Sequence, residues 1–224
     1  MRLVTAFVLL GGLAACSGTP KVTVSPAPTD DAGRGRLLVL TKTDLPDGWQ
    51  SSKHKDDPVS DREDKKLAAC IGAPDPARSQ TVDVFGDVFG QGAQTITSEA
   101  VFLRTQSDAA KAAAALKGSR AIACAKAAVR PVLVEQLRLQ GVTAKIRSIA
   151  VTRRTLPVKG FLSGFRVVVN LGAAGATITV QQDVFVLARG RAQVRATFVD
   201  VGVAFPAALE LSLVRKLATK LERS

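Results

Sequence analysis

Apolar positions recur along this chain with two different periods. Near the carboxyl end Leu209, Leu213, Leu217 and Leu221 fall four apart with Val214 beside them, opposed by Glu210, Arg215, Lys216 and Lys220. That spacing predicts an amphipathic helix with Pro206 in its first turn, laid across a sheet. In Ser163, Phe165, Val167, Val169 and Leu171 the period is two, which predicts a strand with one apolar face. Alternating runs at 142–156, 161–171, 177–188 and 192–201 make the last third β-rich, and Arg189-Gly190 reads as a tight hairpin link.

The middle of the chain is mixed. Strand-like runs at 81–89 and 94–105 flank Gly90-Gln91-Gly92, and the first contains a duplication, Asp-Val-Phe-Gly at 83–86 and again at 87–90. Ser107 is expected to cap an Ala-rich helix over 108–116 that Gly118 closes. A second helix runs from Ser119 through Cys124 towards Leu139, with Pro131 expected to break or kink it. Further upstream, the charged stretch 53–66 is solvated, and its end begins a helix through Cys70 that Pro74 and Pro76 terminate. Trp49 to Ser52 is a short strand, preceded by a cap or turn at Thr41 to Asp44 that Pro46 ends. Consecutive strands with hairpin-length links predict an antiparallel sheet with helices packed on it, the α+β class.

The first residues follow a different rule. Arg2 precedes an uncharged apolar stretch, Leu3 to Leu13, and Leu13-Ala14-Ala15-Cys16 follows. Roughly 20 apolar residues are needed to cross a bilayer, so this stretch reads as an export signal. Its ending resembles the bacterial lipobox, which implies that residues 1–15 are cleaved and Cys16 carries lipid. Two or more acyl chains hold a protein on a membrane firmly. Residues 16–35, rich in Pro, Ser, Thr and Asp, read as a tether, and 36–224 as one domain.

Composition then narrows the partners. The formal charge is +12, most of it expected on a solvated surface. A basic excess favours anionic partners such as phospholipid head groups or acidic wall polymers, and export argues against nucleic acid. With Cys16 acylated, Cys70 and Cys124 form an even pair in an oxidising compartment, which favours a disulfide. The alternative is two buried free thiols. Two cysteines and the single His54 share no metal-ligand spacing, so no metal and no cofactor is expected.

Motifs that carry catalytic chemistry are missing. There is no P-loop, no Gly-x-Ser-x-Gly, no His-Glu-x-x-His and no dinucleotide fingerprint. Ser52-Lys53-His54-Lys55 matches Ser-x-x-Lys without its companion motifs. Asp83 and Asp87, placed four apart on one strand, would stand about 13 Å apart, too far to act as a glycosidase pair. Arg153, Arg154, Arg189, Arg191 and Arg195 are the one positive surface signal. They read either as an anionic-ligand patch or as charges that keep sheet edges soluble.

Four segments carry a family resemblance: Leu37 to Trp49, Leu67 to Pro74, Arg120 to Cys124, and Phe185 to Ala192 before the last helix. Their layout resembles the actinobacterial envelope proteins that include the extracellular sensor domain of the mycobacterial kinase PknH and lipoproteins such as LpqN. The resemblance covers roughly 36–222 and implies an α+β domain, kinase-sensor-like or PsbP-like, without catalytic residues. The kinase sensor has two disulfides, where this chain has only the Cys70–Cys124 pair to offer. The function expected is binding or sensing of a lipid or glycolipid in a basic-rimmed cleft between sheet and helices. Trp49, Phe85, Phe102 and Phe165 are expected to line that cleft, and Arg189 and Arg191 to rim it. The alternative is a docking module for a membrane enzyme or transporter.

Overall fold

The computed structural model describes residues 30–55, 58–139, 141–173 and 175–224. The signal and Cys16 lie outside the described residues. The elements run α1 (Asp31–Leu38), a 3-10 turn (Lys42–Asp44), β1 (Gln50–Ser52), α2 (Pro58–Ile71), α3 (Pro76–Ser79), β2 (Gln80–Phe85), β3 (Val88–Gln91) and β4 (Gln94–Leu103). Then follow α4 (Gln106–Lys117), α5 (Arg120–Leu139), β5 (Lys145–Arg153), β6 (Phe161–Ala173), β7 (Ala176–Arg189), β8 (Ala192–Val201) and α6 (Ala207–Arg223). All eight strands join one antiparallel sheet in the order β1-β3-β4-β8-β7-β6-β5, with β2 also pairing with β4. The α+β class expected from the pattern is the class observed.

Alternation divides each long strand between two faces. On β8, Ala192, Val194, Ala196 and Phe198 enter the main core with Phe89, Ile96, Phe102, Phe185 and Leu187. Against that face lies α6, which contributes Leu213, Val214, Leu217 and Leu221, and Leu38 of α1 joins the same core. The apolar stripe counted along α6 is therefore the packed stripe. Gln193, Arg195 and Val199 point to the opposite face, where Val167, Val169 and Leu171 meet Val129, Leu133 and Leu137 of α5. There α2 packs on α5, and Cys70 is bonded to Cys124 with an S–S distance of 2.05 Å.

Several boundaries differ from the sequence reading. The domain begins earlier than residue 36, because Asp30 accepts a hydrogen bond from the Gly33 amide and starts α1 within the expected tether. The run 81–89 is two strands. Gly86 donates its amide to the Ser98 carbonyl and turns the chain, so β2 and β3 pair with successive parts of β4. A Cβ on Gly86 would lie 2.8 Å from Ser98 Oγ, so the turn needs glycine. Asp83 and Asp87 thus stand on either side of that turn, with Asp87 paired to Lys53, and not on one strand face. Thr105, not Ser107, caps α4, its Oγ1 accepting from the Asp108 amide at 3.0 Å. Pro131 neither breaks nor ends α5, which runs unbroken from Arg120 to Leu139. Glu210 leaves the polar side of α6 assigned to it and is buried at 1% exposure.

Candidate functional site

A cavity of about 840 Å³ lies between the helical layer and the second sheet face. Its floor is aliphatic: Val101 and Leu103 of β4, Phe165, Val167 and Val169 of β6, Val180, Val184 and Val186 of β7, and Val199 of β8. Its roof comes from Leu67, Ala68 and Ile71 of α2, Ala112 and Leu116 of α4, and Ala121, Ala125, Ala128, Val129, Val132 and Leu133 of α5. The physical cause of the space is legible in these residue types. Interior packing is ordinarily dense. Here alanines on the inward sides of α4 and α5 face valines on the sheet, and their side chains are too short to close the gap. The sequence signal for the cavity was this run of inward alanines, which the hydrophobic pattern alone does not distinguish from tight packing.

One part of the wall is charged. Asp64 of α2, Asp83 of β2, Glu99 of β4 and Arg195 of β8 all line the cavity. Register places them: Glu99 pairs across to Arg195, and Asp83 opposes Val101 one pleat away. Arg195 Nη2 is in contact with Glu99 Oε2, and both Arg195 terminal nitrogens lie 3.4 Å from Asp64 Oδ2. Burial, then the charge of Glu99, pushes the Asp83 carboxyl up to about 7, with Arg195 pulling the other way. Gln193 lines the same wall two residues before Arg195, and its Nε2 is shut from water without a hydrogen-bond partner. Among the described residues no three His, Cys, Asp or Glu side chains form a metal site.

The expected site residues separate. Phe165 lines the cavity. Phe85 points to the same sheet face, opposite Glu99, but stacks on His54 with ring centroids 4.0 Å apart. Trp49 and Phe102 belong to the main core on the far side of the sheet, where Trp49 packs against Phe205. Strand parity explains this: Phe102 is one residue from Val101 and Leu103, which face the cavity. The expected aromatic lining is thus corrected to an aliphatic one.

The basic rim does not form either. Arg189 donates to the Leu221 and Glu222 carbonyls at the end of α6, complementing its dipole. Arg191 donates to the Leu103 carbonyl and pairs with Asp31 at 3.0 Å. Arg153 caps the end of α4 through the carbonyls of Leu116, Lys117 and Gly118. Arg154 lies between Asp183 and Glu210, at 3.1 and 3.0 Å. Of these arginines only Arg195 reaches the cavity, where Lys65 is a second basic residue and the carboxylates outnumber both.

The fold and this space define a class of protein: an α+β domain whose antiparallel sheet is packed on one face and roofed over an apolar cavity on the other. No protein-family model matches the chain, and no curated protein sequence matches it. Among solved structures, it is similar to the extracellular domain of PknH from Mycobacterium tuberculosis, with a TM-score of 0.41 and 10% identity over 88% of this chain and 100% of that one. It is also similar to LpqN, involved in cell envelope biogenesis of Mycobacterium tuberculosis, with a TM-score of 0.28 and 13% identity over 80% of this chain and 78% of that one. These are the two structures named by the resemblance in the sequence.

Proposed function

We propose that the protein is a non-catalytic module of the cell envelope that binds an apolar ligand, a lipid or glycolipid, between its sheet and its helical roof. The observation that supports this reading is the cavity of about 840 Å³, within the range of small-molecule sites and walled mainly by Val, Leu and Ala. An apolar space left open gives up the packing contacts that filling it would supply, so an occupant recovers stability that the empty fold forgoes. The export signal and lipobox-like cysteine read from the sequence support a module at a membrane surface, where ligands of this kind are concentrated.

Ala128→Phe tests the reading, since it puts a ring into the cavity from α5. Native mass spectrometry of the wild-type protein purified from its own membranes is expected to show a retained lipid mass. The A128F protein is expected to lose that mass while keeping its fold by circular dichroism. A wild-type protein that carries no lipid and gains no thermal stability from added lipids contradicts the proposal.

A further inference from the structure

We infer that the cavity selects an amphiphile with a cationic, amine-bearing head over one with an anionic head. The inference rests on the reading of the cavity as an apolar-ligand site and specifies the chemistry at its polar end. Three carboxylates, Asp64, Asp83 and Glu99, stand there around one guanidinium, Arg195; Glu63 and Lys65 of α2 also line the cavity, and Glu63 is paired with Arg62 and Lys66. The chain as a whole carries a formal charge of +12, so the local excess of acid runs against its composition.

The cation among these acids, Arg195, is already committed, and Lys65, which also lines the cavity, is exposed on α2. Glu99 contacts Arg195 directly and Asp64 approaches both of its terminal nitrogens, so an incoming carboxylate or phosphate would have to displace Glu99. It would then meet Asp83 and Glu99 as like charges in a partly dehydrated wall, where repulsion is weakly screened. An ammonium group meets the opposite situation. It donates to Asp83 and Glu99 and supplies the positive charge that Arg195 does not spread over three acids. The raised Asp83 carboxyl fits that deficit, since burial and the charge of Glu99 favour the protonated acid against the pull of Arg195.

Gln193 stands on the same face about 7 Å along the strand from Arg195, but its Nε2 is shut from the cavity surface and takes no part in recognition. The valines of β6 and β7 then hold the alkyl chain. Charge at the head thus discriminates, and aliphatic burial supplies the affinity.

Three probes of equal chain length separate the two ideas: dodecylamine, dodecanoate and dodecanol. Each is titrated into the full chain at pH 7.5 below its micelle concentration and read by calorimetry. Dodecylamine is expected to bind at least about tenfold more tightly than dodecanoate, equivalent to roughly 1.4 kcal/mol. Asp83→Asn is expected to shrink that ratio to about threefold or less. Asp64→Asn, on the outer part of the same cluster, gives the same direction should D83N fail to fold. Dodecanoate binding as tightly as dodecylamine, with dodecanol also bound, overturns the head-group inference and leaves the cavity reading standing. A ratio unchanged in the folded variant also overturns it. Failure of all three probes to bind overturns both.

Discussion

Glu210 lies in the first turn of α6 with its carboxylate shut from water, beside Asp183 and 3.0 Å from Arg154. Arg166 makes a two-pronged pair with Asp183, which is fully buried. The group ties α6 to β6, β7 and the residue after β5. Burial, followed by the charge of Asp183, pushes Glu210 up to about 7, while Arg166 opposes the shift. Its ordinary value is 4.5, so the folded state holds this proton more tightly than the unfolded chain. The associated stability is fully present below about 4.5 and is lost as pH rises towards 7. Glu210→Gln keeps an acceptor for Arg154 and removes the titration. Thermal unfolding of wild type between pH 5 and pH 7.5 should therefore fall more steeply than that of E210Q. At pH 7.5 the variant should gain on the order of 2 kcal/mol. Parallel pH profiles for the two proteins would contradict the assignment. Nothing in the four-residue spacing of α6 announces this burial, because the reason for it sits on other elements. Leu213, Leu217 and Leu221 were legible from period alone, whereas Glu210 needs Arg154 and Asp183 brought to it by the sheet.

At the scale of elements, long periodic segments were readable and short ones were not. The four late strands and α6 stand within a few residues of their expected bounds, since each carries a period over nine or more positions. The split of β2 from β3 was hidden by a repeated tetrapeptide that keeps the alternation going through Gly86. Pro131 is by residue type a helix breaker. It costs one intrahelical hydrogen bond and some steric strain, but α5 is anchored on both sides of it, by Cys124 before and by Val129, Leu133 and Leu137 around and after. The same principle governs the aromatic residues: their apolarity was evident, but which face each one takes depends on register. The disulfide is an element-level feature as well, joining the last turn of α2 to the first turns of α5 across 54 positions of sequence. Cys70→Ser with Cys124→Ser should lower stability by about 4 kcal/mol in the chain-entropy account. Denaturant unfolding measures it. A loss below about 1 kcal/mol would show that packing of α2 on α5 holds the roof without the covalent tie.

For the whole molecule, the sheet acts as a partition. One face is filled with phenylalanine and leucine against α6, and the other is left open beneath alanine-bearing helices. A cleft between sheet and helices was implied by the family resemblance alone; that valines would line it and acids would mark its end was not legible in the residues. Both depend on side-chain volumes and strand parity summed over many residues. No helix among the described residues is long and apolar enough to cross a membrane. We propose that attachment comes through Cys16, and Cys16→Ser should move the protein from the membrane fraction to the soluble one on cell fractionation. Mass spectrometry of the wild-type amino terminus should find a diacylglyceryl thioether there; an unmodified terminus sinks the proposal.

The sulfur bridge sits at one end of the two antiparallel roof helices, near the close of α2 and the opening of α5. The helices therefore resemble the arms of a clothes-peg with its spring at the sulfurs, while the jaw end of α5 rests on the sheet through Val129, Leu133 and Leu137. From Cys124 to Leu139 that arm is about 22 Å long, so at its far end packing alone, and no covalent tie, keeps the roof shut.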